Sequence, residues 1–100
     1  MNYKSMFPDF DYELVIPDGY FDSSWKDDVS PSIRKDIHHD LGVKIYCDYA
    51  DRNKREMGYE NQFSVNLEDD QGLTTKGWFD SFEDALLFAN AIYSSLTKGQ

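Results

Sequence analysis

Partway along the chain the apolar residues change their period, and that change limits the folds open to it. Val43, Ile45, Cys47 and Tyr49 alternate with Lys44, Tyr46, Asp48 and Ala50, and Phe63, Val65 and Leu67 alternate with Ser64 and Asn66. A period of two places one set of side chains on each face of a strand. Glu68-Asp69-Asp70-Gln71-Gly72 is a polar connection with a glycine for the tight corner, and a third strand is predicted over 73–79. Beyond Ser81 the period becomes helical. Ala85, Phe88, Ala89, Ile92 and Leu96 fall on one face with Leu86 and Tyr93 alongside, and Ser81 followed by Asp84 has the spacing of a helix-capping box. Strands joined by short turns and closed over by a helix predict an α+β fold. Its expected core is an antiparallel sheet of three to four strands with a C-terminal helix packed on it.

The first half of the chain adds a strand and a helix to this expectation. Phe10, Tyr12, Leu14 and Ile16 alternate with Asp9, Asp11, Glu13 and Val15, which predicts a strand over 9–16. Pro17-Asp18-Gly19 then turns the chain. Ser30-Pro31 suits a helix entry, Ile33, Ile37 and Leu41 recur at i, i+4 and i+8, and Gly42 stands where a left-handed cap is wanted. A short helix before the main meander is therefore predicted. The 100 residues, 40% hydrophobic, are expected to form one compact domain over 1–100, since so short a chain supplies one modest core.

Charge and cysteine content narrow the function. Nineteen acids against ten bases give a net charge of −9, which argues against binding nucleic acid or anionic lipid and makes a basic partner the natural complement. The lone Cys47 excludes an internal disulfide. No apolar run approaches the roughly 20 residues of a membrane span, and the first 20 residues lack a signal-peptide pattern, so a cytoplasmic location is expected. His38 and His39 diverge by about 100° if helical and face no common ion. Cys47 sits on the apolar phase of a strand, as a buried small hydrophobe does. No Gly-x-Ser-x-Gly elbow or glycine-rich phosphate loop is present, and Glu68-Asp69-Asp70 lacks the spacing of a calcium loop. Neither catalysis, a cofactor nor a metal is expected.

Trp78-Phe79-Asp80-Ser81-Phe82-Glu83-Asp84-Ala85, with the strands before it, resembles the three-strands-then-helix arrangement of plant AP2-type and integrase arm-binding domains. That resemblance implies DNA binding by the sheet. Residues 41–80, however, hold five bases (Lys44, Arg52, Lys54, Arg55, Lys76) against eight acids, so the basic face such binding needs is missing.

The acids gather toward the start: residues 1–40 hold nine against four bases. On a strand over 9–16, Asp9, Asp11 and Glu13 would stand about 6.6 Å apart in a row that imitates phosphates. Asp36 and Asp40, one turn apart on the expected helix, would extend the charge, with Asp27 and Asp28 between. Aromatic residues crowd the same stretch, and Tyr12 and Trp25 are the expected anchors. A short, acidic, aromatic-rich chain with these acidic rows resembles the small phage-encoded anti-CRISPR proteins that mimic DNA. The resemblance implies a non-enzymatic inhibitor in the bacterial host cytoplasm. It would bind the basic nucleic-acid channel of a CRISPR surveillance complex through Asp9, Asp11, Glu13, Asp27, Asp28, Asp36, Asp40, Tyr12 and Trp25. The same charge serves an immunity-type module that neutralises a different basic partner, and an enzyme working through Cys47 or a histidine is a third possibility.

Overall fold

The computed structural model describes residues 3–38, 40–56 and 60–98. A single turn of helix, α1 (Tyr3–Met6), leads into an arm without regular structure. Five strands follow: β1 (Phe21–Asp22), β2 (Ser32–His38), β3 (Leu41–Cys47), β4 (Phe63–Asp69) and β5 (Gly72–Phe79). A 3₁₀ turn (Arg52–Lys54) lies between β3 and β4, and α2 (Phe82–Thr97) closes the chain. The strands form one antiparallel sheet in chain order. The α+β architecture and the C-terminal helix on the sheet are as the periodicity predicts, but the sheet has five strands rather than three to four.

The alternation in β3 and β4 is carried through in the burial. Val43, Ile45, Cys47 and Val65 are fully buried and Phe63 nearly so, and the register sets Ile45 against Val65 and Cys47 against Phe63. Ser81 caps α2 with its Oγ, which accepts from the Asp84 amide at 3.1 Å. Glu83 and Asp84 stand in the first turn, where the helix dipole favours negative charge. Ala85 and Ala89, one turn apart and both fully buried, let the helix backbone lie close on the sheet, with Phe82, Leu86, Phe88 and Ile92 flanking them. Full enclosure of a large side chain contributes about 1.5–3 kcal/mol, and these four, partly buried, contribute a share of that.

Residues 31–41 do not form the expected helix. A spacing of four is also an even number, so Ile33 and Ile37 share a face on a strand as well as on a helix, and β-branched isoleucine suits the strand. Tertiary pairing decides it. Ile33 lies opposite Ile45, and a bulge passes over Ile37. Pro31 precedes the ladder, and its carbonyl accepts from the Cys47 amide at 2.9 Å. Gly42 is not a helix cap but a buried residue of β3 opposite Asp36, where a Cβ would collide with the Arg34 guanidinium.

The stretch 9–16 is likewise not a strand. Its apolar phase faces inward as far as Leu14, which is buried, with Phe10 and Tyr12 packed against the core; Ile16, of the same phase, is exposed. What it lacks is a neighbouring strand. A side chain replaces the ladder: the Tyr3 hydroxyl donates to the Leu14 carbonyl at 3.2 Å and accepts from the Leu14 amide at 3.3 Å. The arm ends in a turn from Pro17 to Tyr20 closed by a 3.1 Å bond, with Gly19 at φ 85° in the left-handed position a type II turn requires.

Candidate functional site

The sheet has two unlike faces. Ile33, Val43, Ile45, Phe63 and Val65 point to α2 and the arm, so strand alternation sends Arg34, Lys44, Tyr46, Ser64, Asn66 and Glu68 to the other face, which no helix covers among the described residues. Arg34 bridges Asp36 at 2.7 Å and also Glu68, and Lys44 reaches Glu68 at 3.3 Å. Lys44 Nζ lies 5.1 Å from the centre of the Tyr46 ring. Opposite charges thus neutralise one another along one half of this face.

The other half forms a groove of about 440 Å³. Tyr46, Ser64, Asn66 and Thr75 make its floor, Val29, Leu73 and Trp78 its walls, and Asp27, Asp28 and Glu56 its rim. The wall residues are large, apolar and about half exposed, at 48%, 44% and 45%. Trp78 lies opposite Ser64 in the β4–β5 ladder, so its phase places it on this face while Phe79 points to the core.

Each part of the groove is held by local chemistry. Ser24 Oγ accepts from the Ser32 amide at 3.0 Å and donates to the Ser32 carbonyl at 3.3 Å, and the Ser23 amide donates to that carbonyl at 2.9 Å. These serines fasten the β1–β2 connection along β2. Within it the Asp28 amide donates to the Trp25 carbonyl at 3.0 Å. The Tyr46 hydroxyl donates to Asp28 Oδ2 at 3.2 Å. Burial first, and then the Asp28 charge, raise the Tyr46 pKa well above that of an ordinary phenol, so this proton stays in place. Asn66, almost wholly buried, donates to the carbonyls of Lys44 and Ser64, both at 3.2 Å, and accepts from the Thr75 hydroxyl at 2.7 Å. On the far rim the fully buried Asp48 carboxylate accepts from the Tyr49 amide at 2.9 Å and from the Glu56 amide at 3.1 Å, which sets Glu56 in position.

The residues singled out from the sequence divide among several places. Asp27 and Asp28 are on the groove rim, and Trp25, 58% exposed, stands in the same connection. Asp9, Asp11 and Glu13 are exposed on an arm that is not a strand, and Asp11 among them is taken up by the protein's own backbone. Asp11 accepts from the amides of Ala50 at 2.7 Å and Asp51 at 2.9 Å and so fastens the arm to the β3–β4 loop. Asp36 and Asp40 are not one helical turn apart: Asp36 ends the open face in its bridge to Arg34, and Asp40 lies in the β2–β3 turn. Tyr12 is not an exposed anchor. It is half-buried, edge-on to Phe63 with ring centres 5.5 Å apart. Cys47 is enclosed, and burial raises its thiol pKa far above the ordinary value. His38 is exposed on β2, and His39 lies outside the described residues. Val29, Leu73, Trp78 and Glu56 were missed as site residues. The available signal was the neighbouring pair Trp78-Phe79, since adjacent strand residues cannot both face the core.

Comparison with protein-family models, with curated proteins and with solved structures returned no match. Among the described residues no helix is long and apolar enough to cross a membrane.

Proposed function

We propose that this protein is a non-enzymatic binding protein. Its open sheet face docks on a basic protein surface of the kind that carries nucleic acid, and it blocks that surface. The observation that carries the reading is the groove: three half-exposed apolar side chains beneath three carboxylates, on a chain of net charge −9. These three side chains line one groove together rather than standing singly on the surface. Charge of this size speeds the encounter with a positive surface, and buried aromatic contacts then slow release. In its specific form the partner is a CRISPR surveillance complex, with the protein acting as a phage-encoded anti-CRISPR inhibitor in the host cytoplasm. Asp9, Glu13, Asp36 and Asp40, all exposed, then contribute long-range attraction rather than a regular phosphate mimic.

The test is target-DNA capture by a panel of purified surveillance complexes, with and without the protein, at low and high salt. Inhibition of at least one complex, relieved as salt rises, supports the reading; no inhibition of any overturns it. An immunity-type role is the second reading. It is favoured by Asp11, whose carboxylate accepts from the amides of Ala50 and Asp51 and so does not stand free as a phosphate surrogate. Neutralisation of a basic toxin without effect on CRISPR interference would select it.

A further inference from the structure

The polar groups of the groove fall into two classes. Three of its donors are engaged within the protein: the Tyr46 hydroxyl with Asp28, the Asn66 amide with two carbonyls, and the Thr75 hydroxyl with Asn66. The Trp78 indole N–H and the Ser64 hydroxyl are further donors of the lining, while the carboxylates of Asp27, Asp28 and Glu56 supply acceptors and the negative charge. Asp27 enters no hydrogen bond or ion pair among the described residues, and Asp28 gives only one of its oxygens to Tyr46. No lysine or arginine lines the groove among the described residues; Lys44 is turned along the sheet toward Glu68. A ligand that satisfies this site must bring hydrogen-bond donors and positive charge, and it must also cover apolar walls. At about 440 Å³ the groove is near the small end of ligand pockets, about 300–1,000 Å³, and admits a side chain rather than a folded element.

We infer that the groove receives an arginine side chain of the basic partner, its stem along Val29 and Leu73 and its guanidinium between the Trp78 indole and the carboxylates of Asp27 and Asp28. A guanidinium is planar, weakly hydrated and rich in donors. It stacks on an aromatic face while pairing with carboxylates at its edge. A lysine ammonium has the charge and lacks the plane. This assignment rests on the reading that the partner is a basic protein, and it names the chemistry by which the groove recognises it.

The test is an NMR titration of the isotope-labelled protein with a short capped glycine-serine peptide carrying one central arginine. The same peptide with lysine or with neutral citrulline serves as control. Shifts are expected at Val29, Tyr46, Thr75 and Trp78, with arginine bound about fivefold more tightly than lysine and citrulline not bound. Trp78→Ala, at a half-exposed position that tolerates truncation, should weaken the arginine peptide about fivefold. Asp27→Asn should weaken it as well, with amide positions away from the groove unchanged in both variants. Equal response to arginine and lysine, shifts scattered over all the acidic surface, or an unchanged affinity in Trp78→Ala would each overturn the assignment.

The two ideas fail separately. If a surveillance complex is inhibited equally by Trp78→Ala and by the native protein, the arginine site is wrong and the proposed function stands. If the arginine peptide seats in the groove while no surveillance complex is inhibited, the proposed function is wrong and the arginine site stands.

Discussion

Replacing Asp11 by alanine separates a structural acid from a binding one. Its carboxylate takes the amides of Ala50 at 2.7 Å and Asp51 at 2.9 Å, across about forty positions of chain, and so ties the arm to the β3–β4 loop. Hydrogen bonds to a charged acceptor contribute about 1.5–3 kcal/mol each when sheltered, but Asp11 is exposed, and screening leaves about 1–2 kcal/mol for the pair. For a domain of this size that is a fall in Tm of about 5–12 °C. Asp11→Asn keeps one acceptor oxygen and should lose about half as much. The pH dependence has a definite sign. Slight desolvation raises the Asp11 pKa, but the amides of Asp51 and Ala50 outweigh it and hold the carboxyl below its ordinary value. A depressed folded-state pKa gives stability that is complete above the unfolded value of about 3.9 and is lost as pH falls through the folded one. Urea denaturation of the native protein and Asp11→Ala should therefore show a constant gap from about pH 7 to 5 that narrows below about pH 4. A gap that widens on acidification, or none at neutral pH, would refute the reasoning. Affinity for a basic partner should change little, because Asp11 is not on the groove.

The remaining predictions are simpler. Ser81→Ala removes the acceptor for the Asp84 amide and should cost about 1 kcal/mol in denaturant unfolding, with Ser81→Asp close to native. Gly42→Ala drives a methyl group into the Arg34 guanidinium. It should displace the bridge to Glu68, and because the guanidinium is the far end of a flexible side chain the loss should stay at about 1 kcal/mol or less, which thermal unfolding checks. Cys47, fully buried with a raised pKa, should resist a thiol reagent such as DTNB in the native protein and react at once in denaturant.

The sequence was most legible where local signals and tertiary needs agree. For α2, the Ser81 cap, the acidic first turn and the apolar stripe all say the same thing. β3, β4 and β5 were legible because their alternation ends in turns with their own chemistry, as where Asp69 accepts from the amides of Gln71 and Gly72. The failures came from patterns that satisfy two geometries at once. Ile33 and Ile37 fit a helix and a strand equally, and only the distant Ile45 settles between them. In the arm, Phe10, Tyr12 and Leu14 gave the buried face correctly, yet alternation says nothing about whether another backbone lies alongside. The groove was beyond local reading for the same reason. Its rim comes from 27–28 and 56, its floor from 46, 64, 66 and 75 and its walls from 29, 73 and 78, and only the folded sheet brings them together. Asp27, Asp28 and Trp25 were found through charge and aromatic content. Trp78 carries no local mark of the groove, because its partners there, Val29 and Tyr46, are distant in sequence.

The open face as docking surface is tested most directly by hydrogen–deuterium exchange of the protein bound to the complex it inhibits. Slowed exchange is expected in the β1–β2 connection around Trp25–Val29, in β5 from Leu73 to Trp78 and in the loop holding Glu56, with the arm and the outer side of α2 unaltered. Protection confined to the arm or to α2, with the groove exchanging as in the free protein, would contradict the account.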